Sequence, residues 1–221
     1  MTNLLDRVLD RTVVLGYSKV GSALRRRWWP ADPEPGALAG KRVLVTGATS
    51  GIGEAMARSF AELGAIVHLL GRNGDKLAGV ARQLRLDLPA AEVVEEVCDV
   101  GDLDAVRAWA AGFTERVPVL HGVVHNAGTM TEDREESPQG HELALSVHVL
   151  GAHLLTDLLQ GPLAAAGGAS VVWMSSGGMY SAGLPTDVDG YESRGLDRGG
   201  YNGVRAYART CLLYTSDAAD E

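Results

Sequence analysis

Tyr207 lies near the end of the chain, in the run YARTCLLYTSDAADE, with Cys211 four residues after it. On a helix these two side chains are neighbours, one turn apart. A tyrosine hydroxyl can give a proton to a carbonyl oxygen, but its pKa of about 10 is too high for efficient proton transfer near neutral pH. A unit positive charge about 5 Å away, at an effective dielectric near 20, would lower that pKa by roughly two units. The neutral thiol of Cys211 supplies no such charge.

A glycine-rich run, TGATSGIG, occupies residues 46–53 and could hold a phosphate group. It follows the apolar run KRVLVT and leads into GIGEAMARSFAELG, which is typical of a helix that ends at a glycine. Without a Cβ the backbone can approach a pyrophosphate closely, and the amino end of a helix offers N–H donors. This position predicts a dinucleotide site, and the alternative is a tight turn that binds nothing. The residues assigned to the site here are Gly47, Ser50, Gly51, Ile52 and Gly53.

Strand-like and helix-like segments alternate from residue 41 onward. Short apolar runs predict five strands, at residues 41–46, 65–70, 92–97, 119–125 and 170–176. The segments between them predict helices, the longest over residues 141–159. Such alternation is typical of an α/β protein with a parallel sheet covered by helices on both faces.

Four short motifs occur in a recognisable order along this pattern. The spacing TGxxxGxG is followed by CDV at 98–100, NAG at 126–128 and a serine pair at 175–176, and Tyr207 comes last. In this order they resemble the short-chain dehydrogenase/reductase superfamily, over residues 41–210. The run SSGGM, the leading amphipathic segment and YNGVRAYART resemble the dehydrogenase/reductase member-twelve group, which is similar to the retinol dehydrogenases.

The resemblance implies a doubly wound Rossmann sheet in the strand order 3-2-1-4-5. It implies that Asp99 addresses the adenine, and that Val100, Asn126, Ala127 and Gly128 also line the cofactor site. Tyr207 would be the proton donor, with Ser176 bonded to the substrate oxygen. Ser176 is preferred to Ser175 because the second serine matches the family position. The alternative for either serine is a strand-end hydroxyl that caps a loop.

Arg72 indicates which nicotinamide cofactor would bind. An acidic residue at the end of the second strand would favour NAD, whereas this strand ends in Gly71 and Arg72. A guanidinium is suited to the 2′-phosphate of NADP. We therefore expect NADP rather than NAD, and the alternative is a solvated arginine that opens a loop.

His148 stands where the family carries an asparagine of its proton relay. A neutral imidazole can donate and accept, so His148 could replace that asparagine, or it could be a helix histidine with ordinary partners. The segment between Ser176 and Tyr207 is long, and residues 183–203 predict a loop over the substrate pocket. It contains a second candidate pair, Tyr201 and Arg205, which we consider weaker because residues 202–204 form a poor helix.

The last eleven residues, CLLYTSDAADE, look foreign to the domain. They lack the apolar period and helix-forming character expected after Tyr207, and they resemble a translated sequencing adapter. We expect native sequence to end at Thr210, with lysine as the next residue. On this hypothesis residues 40–210 are an incomplete NADP-binding and catalytic domain and 211–221 a non-native tail. The sheet would end at strand five with an exposed edge, and the chain would fold poorly and turn over little substrate.

Residues 1–39 form a separate amphipathic segment and linker. Leu4, Leu5, Val8, Leu9, Thr12 and Val13 fall at helical spacing, and RRRWWP follows at 25–30. Peripheral membrane contact is one interpretation, with Trp28 and Trp29 at headgroup level; the alternative, which we favour, is a helix packed on the main domain.

Composition narrows the class of protein. The net charge of −8 argues against a nucleic-acid partner, and two cysteines, Cys98 and Cys211, are too few for a disulfide framework or a cysteine-rich zinc site. No membrane span or secretory signal is evident, so we expect a cytoplasmic protein that binds no metal.

The sequence therefore predicts an NADP-dependent oxidoreductase that interconverts an alcohol and a ketone or aldehyde. We expect its substrate to be a small, lipophilic molecule and the parent protein to be a homo-oligomer. The alternative from another class is a non-catalytic NADP-binding sensor. A sugar-nucleotide epimerase is disfavoured because such proteins usually space their glycines as TGxxGxxG.

Overall fold

The computed structural model describes residues 19–27, 29–185, 187–193 and 200–217, with the backbone only at residue 19 and residues 214–217. The chain divides into two units, Met1–Glu34 and Pro35–Glu221. In the first unit the described residues form one short helix, α1 (Lys19–Arg25). The apolar positions at 4–13 and Trp28, on which the membrane interpretation drew, lie outside the described residues.

The second unit is built on a five-stranded parallel sheet. Its strands are β1 Arg42–Thr46, β2 Ile66–Gly71, β3 Glu92–Val97, β4 Gly122–His125 and β5 Ser170–Trp173. They lie in the order β3-β2-β1-β4-β5, and all four pairings are parallel. The predicted fold class and strand order are confirmed.

Helices connect successive strands and cover both faces, and the last two helices follow β5. They are α2 Gly51–Glu62, α3 Gly74–Asp87, α4 Leu103–Arg116, α5 Leu143–Leu145, α6 Gly151–Leu158, α7 Gln160–Ala165, α8 Val188–Glu192 and α9 Gly203–Asp217. The central strands are apolar throughout because neighbouring residues point to opposite covered faces. Val45 packs into the cluster that includes α2 and α3 residues, and Leu44 into the cluster on the α4 and α6 side.

Strand β5 lies at an edge of the sheet and pairs only with β4 among the described strands. Val171 and Val172 on this strand are 38% and 44% exposed. Exposed apolar edge strands can pair with other chains. The exposed edge is therefore as expected, whereas the aggregation expected of it stays a prediction.

The helical stretch over Leu143–Leu158 is not the single continuous helix that the sequence predicted. A π-helical turn, Ser146–Leu150, separates α5 from α6. The backbone at Gly151 lies very close to the β3–α4 connection: a side chain at Gly151 would collide with the carbonyl oxygen of Val100. The Ser146 hydroxyl donates to the carbonyl of Gly101 at 2.8 Å. π-Helical turns inside α-helices often mark functional sites, and His148 lies at the centre of this one.

The final helix, α9, runs through Cys211 to Asp217. The expectation that helix-forming character stops after Thr210 is therefore wrong. No glycine or proline follows Tyr207 to break the helix, and leucine is a good helix former. Cys211 is buried, at 2% exposure. The foreign origin of residues 211–221 stays a prediction.

Within the described residues, no helix has both the length and the apolar character needed to cross a membrane.

Candidate active site

The glycine loop packs tightly against the segment that follows β4. Gly47 has a φ of +67°, and a Cβ there would lie 2.8 Å from the Cα of Ala127. A side chain at Gly53 would collide with the carbonyl oxygen of Gly47 and lie 2.5 Å from the amide nitrogen of Asn126. Gly51 has a φ of +57° and faces open space, with nothing within 4 Å of a Cβ there. Two of the glycines are thus needed for close packing, and the third leaves the amino end of α2 uncovered.

The hydroxyl of Thr46 joins the glycine loop to the NAG segment. It donates to the carbonyl of Val124 at 3.3 Å and accepts from the backbone N–H groups of Asn126 and Ala127 at 3.0 and 2.9 Å. The Asn126 side chain donates back to the carbonyl of Thr46 at 3.2 Å. Asn126, predicted as a cofactor contact, thus uses its side-chain amide to hold the two strand ends together. The structural role of Thr46 was not predicted, although Thr46 opens the TGxxxGxG motif.

A cavity of about 460 Å³ opens beside the glycine loop, and we call it the glycine-loop cavity. Its lining includes the predicted residues Gly47, Ser50, Arg72, Asp99, Val100, Asn126, Ala127 and Gly128. Ser50 is the N-cap residue of α2, yet its side chain makes no capping hydrogen bond. Asp99 accepts from the backbone N–H of Gly101 at 2.9 Å. The uncapped helix end and the open glycine give this cavity the character of an anion site.

A group of polar residues after β2 forms one corner of the glycine-loop cavity. Arg72 and Lys76 are exposed there, and Asn73 caps α3 by accepting from the backbone N–H of Lys76 at 2.9 Å. Two cations and the amino end of α3 therefore share this corner, which would suit a phosphate. Sequence reasoning found Arg72 but missed Asn73 and Lys76, although NGDK matches a capping asparagine with a lysine one turn into the helix.

A second cavity of about 250 Å³, which we call the tyrosine cavity, lies between the NAG segment, the π-helical turn, β5 and α9. It shares a wall with the glycine-loop cavity, made of Val100, Asn126, Ala127, Gly128 and Val147. Tyr207, Cys211, His148 and Ile52 also line it. Ile52 is 62% exposed, an unusual exposure for an apolar side chain at a helix start. The two cavities are thus neighbours across the NAG segment.

Tyr207 lines this second cavity, and among the described residues no lysine or arginine contributes to its pKa shift. Burial raises the pKa of Tyr207 above its ordinary value, a hydrogen bond from Ser176 opposes that rise, and the adjacent Cys211 thiol adds to it. The direction is the opposite of what proton transfer near neutral pH requires. Tyr207 thus lines the tyrosine cavity with a raised pKa, and its role as proton donor stays a prediction.

The two serines after β5 have different surroundings. The Ser176 hydroxyl oxygen accepts from the backbone N–H of Gly178 at 3.2 Å, and Ser176 acts to lower the pKa of Tyr207. Ser175 lines the tyrosine cavity and donates to the carbonyl of Cys211 at 3.4 Å. The contact with Tyr207 supports the choice of Ser176, and the catalytic role of either serine stays a prediction.

His148 connects the NAG segment to the helix that carries Tyr207. Its Nε2 accepts from the backbone N–H of Thr129 at 2.8 Å, so in the neutral ring the proton is on Nδ1. Nδ1 then donates to the Thr210 hydroxyl at 2.7 Å, which donates to the carbonyl of Tyr207 at 2.9 Å. The rings of His148 and Tyr207 meet edge to face at 5.2 Å. With both nitrogens occupied, this arrangement favours a positioning role over the proton relay.

Tyr201, the second candidate for proton donor, lies outside the linings of both cavities. Its hydroxyl donates to the Glu142 carboxylate at 2.8 Å, and burial raises its pKa to about 12. Arg205 is exposed. The position of Tyr201 therefore gives no support to the alternative in which it replaces Tyr207.

His125, directly before the NAG segment, is a tyrosine-cavity residue that sequence reasoning missed. It bonds through Nε2 to the Thr156 hydroxyl at 2.7 Å, and Thr156 donates to the carbonyl of Ala152. Nε2 therefore carries the proton, and the buried Nδ1 has no hydrogen-bond partner in the described part of the chain. Burial lowers the pKa of His125 to about 4. The described residues contain no cluster of side chains suited to hold a metal ion.

Comparison with known proteins places this arrangement among dehydrogenases. A family profile described as short chain dehydrogenase matches residues 41–184. Retinol dehydrogenase 12 of Homo sapiens is 37% identical over 139 residues, which cover 63% of this chain and 44% of that protein. Polyprenol dehydrogenase of Mus musculus is 35% identical over 184 residues, covering 81% of this chain and 52% of the relative. The chain thus spans about half the length of these relatives.

The fold also matches solved structures. A short chain dehydrogenase from Escherichia coli CFT073, complexed with NADPH, aligns with a TM-score of 0.65 and 28% identity. The alignment covers 84% of this chain and 71% of that one.

The buried histidines predict acid sensitivity. Burial lowers the pKa of His148 to about 4 from an ordinary value of 6.5. Between these values the unfolded state binds more protons than the folded state, so stability falls as the pH falls from 6.5 to 4. We expect His148→Asn to reduce the loss of unfolding free energy between pH 7 and 4.5 by about 2 kcal/mol, measured by urea denaturation.

His153→Asn, at an exposed site on α6, is the matched control for this measurement. If His148→Asn and the wild-type protein lost the same stability over that range, the buried neutral state of His148 would be refuted.

Proposed function

Since this chain belongs to the short-chain dehydrogenase family, we propose that the whole protein is an NADP-dependent oxidoreductase that interconverts an alcohol and a ketone or aldehyde. The observation that carries the proposal is the position of Tyr207 on a cavity that shares a wall with the glycine-loop cavity. One cavity would hold the dinucleotide and the other the reacting carbonyl.

The described residues fit such a cofactor. Gly51 leaves space at the amino end of α2, the Ser50 side chain makes no capping bond, and the glycine-loop cavity encloses about 460 Å³. The pyrophosphate would lie on that helix end, and the corner of Arg72, Asn73 and Lys76 would take the 2′-phosphate of NADPH. The bound cofactor would supply a hydride to the carbonyl carbon.

The residues around Tyr207 would carry the proton. The Tyr207 hydroxyl donates its proton to the carbonyl oxygen, and the Ser176 hydroxyl bonds the same oxygen and orients it. In the reverse direction the phenolate accepts the alcohol proton. Thr129, His148 and Thr210 keep the backbone of Tyr207 in register with the NAG segment.

A lipophilic substrate is supported by the apolar part of the tyrosine cavity and by the relatives. Ile52, Trp173 and Met174 contribute to its lining, and two relatives are named for retinol and polyprenol. We propose a cytoplasmic location and a homo-oligomeric parent, as the sequence predicts.

A second candidate is a sensor that binds NADP without turnover. It is favoured by the raised pKa of Tyr207 and by Cys211 in place of a cation. The two candidates share the glycine-loop cavity and differ in whether Tyr207 can transfer a proton.

Replacement of Cys211 by lysine tests the proposed reaction. Cys211 lines the tyrosine cavity, so a longer side chain would have room beside Tyr207. A cation there lowers the tyrosine pKa, and we expect Cys211→Lys to raise kcat for carbonyl reduction with NADPH about ten- to a hundredfold. The assay is NADPH oxidation with long-chain aldehydes and ketones.

Cys211→Met, of similar length but uncharged, is the matched control and should show no gain. The gain should also vanish when Tyr207→Phe is added to Cys211→Lys. NADPH binding without turnover in the Cys211→Lys variant would favour the sensor instead.

Cofactor preference depends on the corner of Arg72 and Lys76. We expect Arg72→Ala and Lys76→Ala each to weaken NADPH binding about tenfold and to leave NADH binding within about twofold, because only NADPH carries the 2′-phosphate. Fluorescence titration measures both affinities. Arg82→Ala, exposed on the same helix but outside the cavity lining, is the control. Equal losses for the two cofactors would exclude a 2′-phosphate role for this corner.

Although the sequence favours a helix packed on the main domain, we also propose peripheral contact between the first unit and anionic membranes. Arg26 and Arg27 are exposed, as are Val20 and Trp29 at 59% and 52%. We expect sedimentation with phosphatidylserine-containing vesicles, lost at high salt and weakened about thirtyfold by the double replacement Arg26→Ala/Arg27→Ala. Equal binding to pure phosphatidylcholine vesicles would contradict this electrostatic contact.

A further inference from the structure

Glu142 is a fully buried carboxylate at the start of the helical stretch that contains His148. Its oxygens accept from the backbone N–H groups of Ala144 and Leu145 at 3.0 and 2.7 Å, and from the Tyr201 hydroxyl at 2.8 Å. In the described part of the chain it forms no ion pair. The buried carboxyl group thus depends on neutral donors, and the loss of one donor is costly at such a site.

Glu192, on α8, also bonds to residue 142. Its carboxylate accepts from the backbone N–H of Glu142 at 2.8 Å and bonds to His141 Nδ1 at 2.8 Å. The carbonyl of Glu192 accepts from Arg134 Nε at 3.1 Å. Residue 142 is therefore held by the chain both before and after residues 194–199. We call Glu142, Glu192 and Tyr201 the clamp.

The clamp leads directly into the helix that carries Tyr207. Gly203, two residues after Tyr201, begins α9, and a side chain there would collide with the carbonyl oxygen of Thr131. Tyr207 follows one turn later, and Arg209 donates to the carbonyl of Gly190 at 2.9 Å. The start of α9 thus has little freedom while the clamp is closed.

The same buried residue also caps the helical stretch that contains His148, whose ring meets the Tyr207 ring edge to face at 5.2 Å. His148 lies on that stretch and bonds to Thr210 on α9. A shift at Glu142 would therefore displace His148 through the helical stretch, and it would displace the start of α9 through Tyr201.

We propose that Tyr201 is a positioning residue for Tyr207: its hydrogen bond to the buried Glu142 carboxylate holds the start of α9, and so sets where the Tyr207 hydroxyl meets the substrate. The importance of that position for catalysis rests on the proposed function, whereas the control of α9 by Tyr201 does not. Tyr201 itself contacts no cavity lined by Tyr207.

Cysteine labelling tests the proposal without any assay of activity. Cys211, one turn beyond Tyr207, is 2% exposed, and Cys98, at the end of β3, is 5% exposed. In Tyr201→Phe the start of α9 is released, and we expect iodoacetamide to label Cys211 about tenfold faster or more, with Cys98 changed less than twofold. Peptide mass spectrometry reads the two sites in one sample of the full chain.

Two further variants sharpen this test. Tyr180→Phe removes a hydroxyl from a 61% exposed tyrosine and should leave both labelling rates as in the wild type. Glu142→Gln should raise Cys211 labelling at least as much as Tyr201→Phe, because it also weakens the bonds from Ala144 and Leu145. Adding Tyr201→Phe to it should raise the rate no further, because the bond between Tyr201 and Glu142 is already disrupted. If Tyr201→Phe does not fold, Glu142→Gln carries the test alone.

Unchanged labelling of Cys211 in Tyr201→Phe and Glu142→Gln would overturn the proposal. So would an equal rise at Cys98, which would mean that the bond supports the whole domain rather than α9.

A kinetic arm links the clamp to the reaction. In the Cys211→Lys background we expect Tyr201→Phe to lower kcat about tenfold and to leave KM for NADPH within about twofold, because the glycine-loop cavity is built from other elements. A rise of KM with kcat unchanged would refute the positioning role. If Cys211→Lys turns over no carbonyl, the proposed function fails, and the labelling result still decides whether Tyr201 controls α9.

Discussion

The hydroxyl of Thr46 holds together the carboxyl ends of the two central strands, and both cavities depend on it. It bonds to β4 at Val124 and to the first two residues of the NAG segment. That segment is the wall common to the glycine-loop cavity and the tyrosine cavity. A side chain at Gly47 would meet Ala127 of the NAG segment, and one at Gly53 would meet the carbonyl of Gly47 and the Asn126 amide. The glycine-loop cavity and the tyrosine cavity therefore lie on two sides of the NAG segment, so a shift of this segment would change both.

The two cavities differ in their electrostatics. The glycine-loop side offers exposed cations and the amino ends of α2 and α3, all of which favour an anion. The tyrosine side is neutral: burial keeps His125 and His148 uncharged near neutral pH and raises the pKa of Tyr207. Binding of a nucleotide and transfer of a proton are thus separable properties of this chain. An enzyme and a sensor would therefore use the same glycine-loop cavity, and only proton transfer at Tyr207 would distinguish them.

Much of the fold could be predicted from the sequence because its signals are local. Five apolar runs predicted five strands, and the position of TGATSGIG between a strand and a helix predicted the glycine loop. The order of the strands came from the family resemblance, since period and composition do not encode it. The π-helical turn was not predicted, and it lies beside a close approach of Gly151 to Val100, 51 positions away, which local sequence signals do not show. The continuation of α9 to Asp217 was not predicted, although Leu212 and Leu213 favour a helix and no glycine or proline follows Tyr207.

The residue types of the candidate site could be predicted from the sequence, whereas most of their hydrogen-bond partners could not. Tyr207, Ser176 and His148 were each found, yet the partners of His148 are Thr129 and Thr210, which no motif indicated. Tyr201 looked like a rival proton donor because four positions separate it from Arg205. The Tyr201 hydroxyl donates to the buried Glu142 carboxylate, and this bond favours the protonated form of the tyrosine. Burial also raises the pKa of Tyr201 to about 12. Spacing along a helix shows which side chains can meet, whereas burial and long-range partners decide which of two similar tyrosines can release a proton.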